Sequence, residues 1–320
     1  MLSALLLILF VTTLHNSRSA SLLRSSSSDN SNSSLCEIKV CSHQILNSPS
    51  ALPDGSMQAM DALWEAGITC FDIDIVTLKD GTLLTAHPNR FIDAVAVIGV
   101  ETMMKRPEEY AFEEARSAGV DAIRFPILDD VLIHFASLVA YNNSNGLLFC
   151  QGGPLLNLDL KGPNLTIDHV NNLEDIITEQ GILGNIVVCA TALGENDIGP
   201  GVDLLNVLGI IRNSNSNNLL IGIVIRDRVV EDTNLDRVSQ FIEQYPAIEL
   251  IVPSNKFDVQ YFHNLKKQAQ KPITSWTVDD EEGLVHAIQS GLDAIISNHP
   301  IEMNVKLQAM KKGQCSSNKS

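Results

Sequence analysis

Short β-branched runs alternate with amphipathic helical stretches along this chain, and that alternation limits the fold more than any other feature. The strand-like runs are 37–43, 70–76, 155–161, 185–191, 220–226, 248–254, 273–278 and 293–298. Between them, apolar spacing predicts helices over 56–66, 128–140, 167–179, 235–244 and 281–289. The last has Asp279 three residues before Glu282, a capping-box-like start, and Gly291 just past its end. Eight strand–helix units in about 275 residues predict an α/β fold, a (β/α)8 TIM barrel, rather than an open doubly wound sheet. No glycine-rich loop follows the first strand, as a dinucleotide-binding fold would usually show. Residues 88–126 interrupt the alternation and are expected to form a small inserted lobe after strand 2.

The ends of the chain read differently. Residues 1–20 resemble a signal peptide, with the apolar run ALLLILFV followed by the small residues Ser17 and Ser19. That run is short for a membrane span, so no integral span is expected after cleavage. Residues 21–35 form a Ser/Asn-rich linker with too little apolar content to fold. The barrel is expected over 36–310 and a polar tail over 311–320. The expected location is therefore secreted or the endomembrane lumen. Sequons at Asn32, Asn142, Asn164 and Asn318 matter only there. Six cysteines suit an oxidising compartment and allow 15 full connectivities. Cys70, Cys150 and Cys189 lie in or beside apolar strands and read as buried thiols, while Cys36 and Cys315 are a candidate bridge.

Some strands carry residues that a barrel interior does not welcome. Asp72, Asp74 and Asp159 lie on apolar runs, with Lys161 at the end of the third run and His43 at the end of the first. His87 follows a further apolar stretch. An isolated buried carboxylate costs several kcal/mol unless it is paired, hydrogen-bonded or bound to a metal. Period-two alternation puts Asp72 with Asp74, and Asp159 with Lys161, on common faces. Taken singly, each has an ordinary explanation in a solvated acid, a salt bridge or a loop histidine. Together, at the C-terminal ends of neighbouring barrel strands, they point to a site. Three hard oxygen ligands suit Mg2+ or Ca2+, leaving two histidines for acid–base work. The net charge of −16 argues against nucleic-acid partners and would repel a phosphate substrate unless a bound cation reversed the local field.

These residues carry a resemblance to the glycerophosphodiester phosphodiesterase family, extending from Val40 to Pro300. The family's His-Arg-Gly strand end and Pro-Glu-Asn-Thr segment correspond to His43-Gln44-Ile45 and Pro53-Asp54-Gly55-Ser56. Its Glu-x-Asp-Val strand, Lys-Asp-Gly turn and His-Asp pair correspond to Asp72-Ile73-Asp74-Ile75, Lys79-Asp80-Gly81 and His87-Pro88. Pro126-Ile127-Leu128-Asp129-Asp130 resembles its Pro-Thr-Leu-Glu-Glu, and Asp159-Leu160-Lys161 its Glu-x-Lys strand. Trp276-Thr277-Val278-Asp279 and Gly291-Leu292-Asp293-Ala294-Ile295-Ile296 follow its Trp-Thr-Val-Asn and Gly-Val-Asp-Gly-Ile-Ile motifs.

The resemblance implies a metal-dependent phosphoric diester hydrolase. Asp72, Asp74 and Asp159 would hold the metal, and His43 and His87 would serve as acid and base. Lys161 and Gln44 would lie at the phosphate and Trp276 against the apolar or glycerol portion. The implied substrate is a small phosphodiester or lysophospholipid. Gln44 stands where an arginine is usual, and two glutamates are shortened to Asp72 and Asp159. Two alternatives share the barrel: a sphingomyelinase-D or phospholipase-D-like lyase, and a menorin-like barrel that binds without turnover.

Overall fold

The computed structural model describes residues 38–46, 52–96, 106–141, 153–161, 166–192, 219–225, 231–245 and 248–317. The expected signal peptide and linker, Cys36, Cys150 and all four sequon asparagines lie outside them.

Nine strands are described: β1 (Lys39–His43), β2 (Cys70–Thr77), β3 (Leu83–Thr85), β4 (Leu155–Lys161), β5 (Ile186–Ala192), β6 (Leu220–Ile225), β7 (Ile248–Pro253), β8 (Thr274–Trp276) and β9 (Ala294–Ser297). All but β3 pair in parallel, in the order β7-β6-β5-β4-β2-β1-β9-β8. Parallel bridges Ile251–Ile273 and Ser254–Trp276 bring β7 against β8, so the ring of eight nearly closes. This is the (β/α)8 barrel.

The helices are α1 (Met57–Glu65), α2 (Pro88–Ala96), α3 (Phe112–Ser117), α4 (Leu128–Tyr141), α5 (Ile167–Glu179), α6 (Glu231–Gln244), α7 (Val259–Ala269), α8 (Glu281–Gln289) and α9 (Pro300–Ser317). Among the described residues, no helix is long and apolar enough to cross a membrane. The helical backbone of α9 runs past Met310, so the polar stretch expected as a tail begins as helix.

Period two sorts each strand into two faces. Phe71, Ile73 and Ile75, with Leu156, Leu158 and Leu160, join the large outer core that also includes helix residues. Cys41, Cys70, Leu155, Val187, Cys189 and Val252 fill the barrel interior. The acids therefore interrupt the inner row and leave the outer one intact.

Three local expectations need correction. Cys70 is not a free thiol; it is joined to Cys41. The two are register partners on β1 and β2, with Cα atoms 4.4 Å apart. Cys189 is free and buried, as expected. A side chain at Gly222 would put its Cβ 2.5 Å from the Cys189 sulfur, so glycine leaves room for the thiol. The insertion starts before His87: β3 folds back antiparallel on β2, and α2 and α3 follow. Val76, Leu84, Phe91, Tyr110, Ala115 and Phe125 give this lobe its own apolar core. Finally, the N-cap of α8 is Asp280, whose side chain accepts from Gly283 N–H at 2.7 Å, rather than Asp279.

Candidate active site

Strand register assembles the acidic row. His43 on β1 lies beside Asp72 on β2, and Asp74 lies beside Asp159 on β4. Lys161, the last residue of β4, pairs with Val76 two residues further along. His43, Asp159 and Lys161 lie toward the C-terminal ends of their strands, where barrel enzymes place their chemistry, and register brings Asp72 and Asp74 level with His43 and Asp159. Asp72, Asp74 and Asp159 are 7%, 4% and 8% exposed, too buried to be dismissed as solvated acids.

Lys161 Nζ is 3.3 Å from Asp74 Oδ1 and is also ion-paired to Asp159. Burial alone would lower the Lys161 ammonium, but Asp159 and Asp74 outweigh it and raise its pKa. The Asp72 carboxyl is held well above the usual carboxylate range by burial, then by repulsion from Asp159 and Asp74. When all four groups are ionised, three negative charges against one positive leave two in excess within a desolvated site. Asp74 Oδ2 is buried without a hydrogen-bond partner. This hard-oxygen set, its excess charge and the orphaned oxygen fit a divalent cation such as Mg2+ or Ca2+. As placed, no three His, Cys, Asp or Glu side chains among the described residues form a ready cage. The Lys161 ammonium engages both Asp74 and Asp159.

The two histidines are oriented differently. Asp279 Oδ2 accepts from Asn298 Nδ2 at 2.7 Å, fixing that amide with its oxygen toward His43. His43 Nδ1 lies 2.7 Å from Asn298 Oδ1 and is the donor of that pair. Its Nε2 therefore carries a lone pair, facing the Gln44 amide nitrogen at 3.3 Å. Asp279 is itself held by Asn298 N–H at 2.7 Å and Ser297 Oγ at 3.0 Å. His87 lies beyond β3, immediately before α2, rather than on a barrel strand. Its Nδ1 accepts from Asn89 N–H at 3.2 Å, which leaves the proton of the neutral ring on Nε2. Burial lowers the His87 pKa, as do the nearby Lys161, His43 and Arg90, against the opposing effect of Asp74. In the neutral rings, His43 thus presents an acceptor nitrogen and His87 an N–H.

The remaining expected residues are placed less centrally. Gln44 adopts a left-handed backbone, φ 53°, directly after β1. Trp276 packs against the interior cluster, and its indole donates to the Val252 carbonyl at 3.2 Å. Asn298 and Asp279 were not anticipated as functional. Asn298 lies two residues beyond Ile296 on the inward-facing period of β9, and that spacing is the signal that could have found it.

The molecule is thus a (β/α)8 barrel whose strand ends carry a carboxylate–lysine–histidine rim. Among solved structures, it shares the barrel fold of glycerophosphodiester phosphodiesterases. A Silicibacter pomeroyi protein described as a candidate glycerophosphoryl diester phosphodiesterase matches with a TM-score of 0.62 at 16% identity, covering 86% of this chain and 94% of that one. A Parabacteroides distasonis glycerophosphodiester phosphodiesterase gives 0.56 at 14%, covering 86% and 98%. An Oleispira antarctica phosphodiesterase, solved with the product sn-glycerol-3-phosphate, gives 0.53 at 15%, covering 84% and 96%. At these identities the likeness establishes the fold. No protein-family model and no curated protein sequence matches the chain.

Proposed function

We propose that the protein is a metal-dependent phosphoric diester hydrolase, acting on glycerophosphodiesters or related lysophospholipid head groups. One observation carries this reading. Two histidines oriented as base and proton donor lie about a buried carboxylate–lysine centre, on the fold of enzymes that cleave such esters.

Asp72, Asp74 and Asp159 would hold Mg2+ or Ca2+, which when bound supplies polarisation of the phosphoryl group. His43 Nε2 takes the proton of the nucleophile, either water or a neighbouring substrate hydroxyl that leads to a cyclic phosphate. Asn298 and Asp279 stabilise the imidazolium that forms and keep its ring in place. His87, once protonated to the imidazolium, passes its Nε2 proton to the leaving oxygen and returns to the neutral ring. Lys161 offsets charge on a non-bridging oxygen. Trp276 borders the glycerol portion, and the lobe containing α2 and α3 recognises the alcohol. A secreted or luminal location is supported by the Cys41–Cys70 disulfide, because such bonds persist mainly in oxidising compartments.

Incubation with glycerophosphocholine and with lysophosphatidylcholine, with and without chelator, tests the activity. His43→Ala and His87→Ala should each lower turnover by about 10²–10⁴-fold with the fold retained by circular dichroism. Unchanged turnover would remove both histidines from the reaction.

A further inference from the structure

Two arginines, Arg90 and Arg124, border the carboxylate–lysine centre and have no part in the chemistry above. A shallow cleft is lined by Gln44, Asp74, His87, Arg90 and Arg124, among others. Arg90 sits in the first turn of α2, and Arg124 in the turn that leads to α4. They come together because the loop after β1 presses on the segment before α4. Gly55, with φ 84°, has its Cβ direction 2.8 Å from the Arg124 carbonyl oxygen, so no larger residue permits that approach. Asp54, next to Gly55, meets Arg90 Nη2 at 3.4 Å. Arg90 is half-buried, whereas Arg124 is exposed.

Among the described residues, only one of the two guanidinium groups in this cleft is ion-paired. Asp54 offsets one guanidinium, and among the described residues no carboxylate forms an ion pair with Arg124. Asp74 lines the cleft too, but its Oδ1 is engaged by Lys161. Two guanidinium groups that share one cleft repel each other, and an anion placed between them relieves that repulsion. Guanidinium groups suit phosphate oxygens because they offer paired N–H donors in a fixed plane.

We propose that Arg90 and Arg124 form the phosphate-binding side of the active site, gripping the non-bridging oxygens of the substrate. The anion's identity as a phosphodiester rests on the function proposed above. The binding of an inorganic anion does not.

The test is calorimetric titration of the full secreted chain with inorganic phosphate in the presence of Mg2+, alongside KM and kcat for glycerophosphocholine. Arg90→Gln should weaken phosphate binding about tenfold or more and raise KM by a similar factor, with Arg124→Gln having a smaller effect. Asp54→Asn separates ligand binding from a structural clamp. It breaks the same ion pair, so a clamp predicts the stability loss of Arg90→Gln, whereas an anion site predicts phosphate affinity retained or improved. Gln44→Arg places a guanidinium on the same cleft and should restore part of the affinity lost in Arg90→Gln. Phosphate affinity unchanged in folded Arg90→Gln, or absent from the wild type, would overturn the inference. Arginine-dependent phosphate binding without turnover of any diester would support the site and refute the hydrolase reading.

Discussion

His43 is held by two successive hydrogen bonds, to Asn298 and from there to Asp279, each 2.7 Å long. Asp279 and Asp280 are sequence neighbours with separate tasks, the first supporting the histidine and the second capping α8. Substituting them separates the two. Asp280→Ala should cost about 1 kcal/mol in urea denaturation and leave kcat nearly unchanged. Asp279→Ala should lower kcat by about 10–100-fold with little change in KM, because it releases the amide that orients His43. Equal kinetic effects of the two would argue against the positioning role. His87 makes a pH prediction at the same scale. Burial sets its pKa below the ordinary imidazole value of about 6.5. If it delivers the leaving-group proton, it must first be charged, so kcat/KM should fall as pH rises through that lowered value, giving an acidic optimum. For stability the sign reverses. Burying the neutral ring contributes stability above the unfolded pKa, and this is lost as pH falls through the folded one. A pH–rate profile of wild type against His87→Ala checks the first statement, and an identical alkaline limb in both would contradict it.

Among the elements, β1 and β2 are joined twice, by their ladder and by the Cys41–Cys70 bond. The bond spans a sequence separation of 29, so losing it should cost about 3–4 kcal/mol on a loop-entropy basis. Urea denaturation with and without reductant measures this loss, and coincident curves after confirmed reduction would count against it. This bond also marks what the sequence does not show. Inward and outward faces were legible because period two is local, which is why Asp72, Asp74, Asp159 and Lys161 could be grouped before any pairing was known. Register depends on neighbouring strands, so Cys70 read as a thiol while its partner stood one strand away. β3 escaped detection because three residues are too few for periodicity to distinguish from a loop. Asp279 read as a cap because adjacent aspartates both precede the helix, and only the fold shows which one turns back to Asn298. The arginine missing at Gln44 was visible in the sequence. That Arg90 and Arg124 face the same cleft was not, because it depends on the loop contact at Gly55.

For the molecule as a whole, the proposed function asks an acidic chain of charge −16 to accept a negatively charged ester. Its buried carboxylates make that unfavourable until positive charge is supplied at the centre, by Lys161 and, on this proposal, by a divalent cation. Two consequences follow. Chelator should abolish turnover and lower thermal stability together, because an ion that binds the folded chain stabilises it by mass action. Restoring Mg2+ or Ca2+ should return both, and calorimetry alongside an activity assay records them. The central claim, that this barrel cleaves phosphodiesters through His43, is tested most directly by phosphorus NMR of glycerophosphocholine and lysophosphatidylcholine incubated with the protein and divalent metal. The account predicts a new glycerol phosphate or cyclic phosphate resonance, absent with chelator and strongly reduced in His43→Ala. Unchanged spectra with every diester, or turnover indifferent to both chelator and His43→Ala, would contradict it.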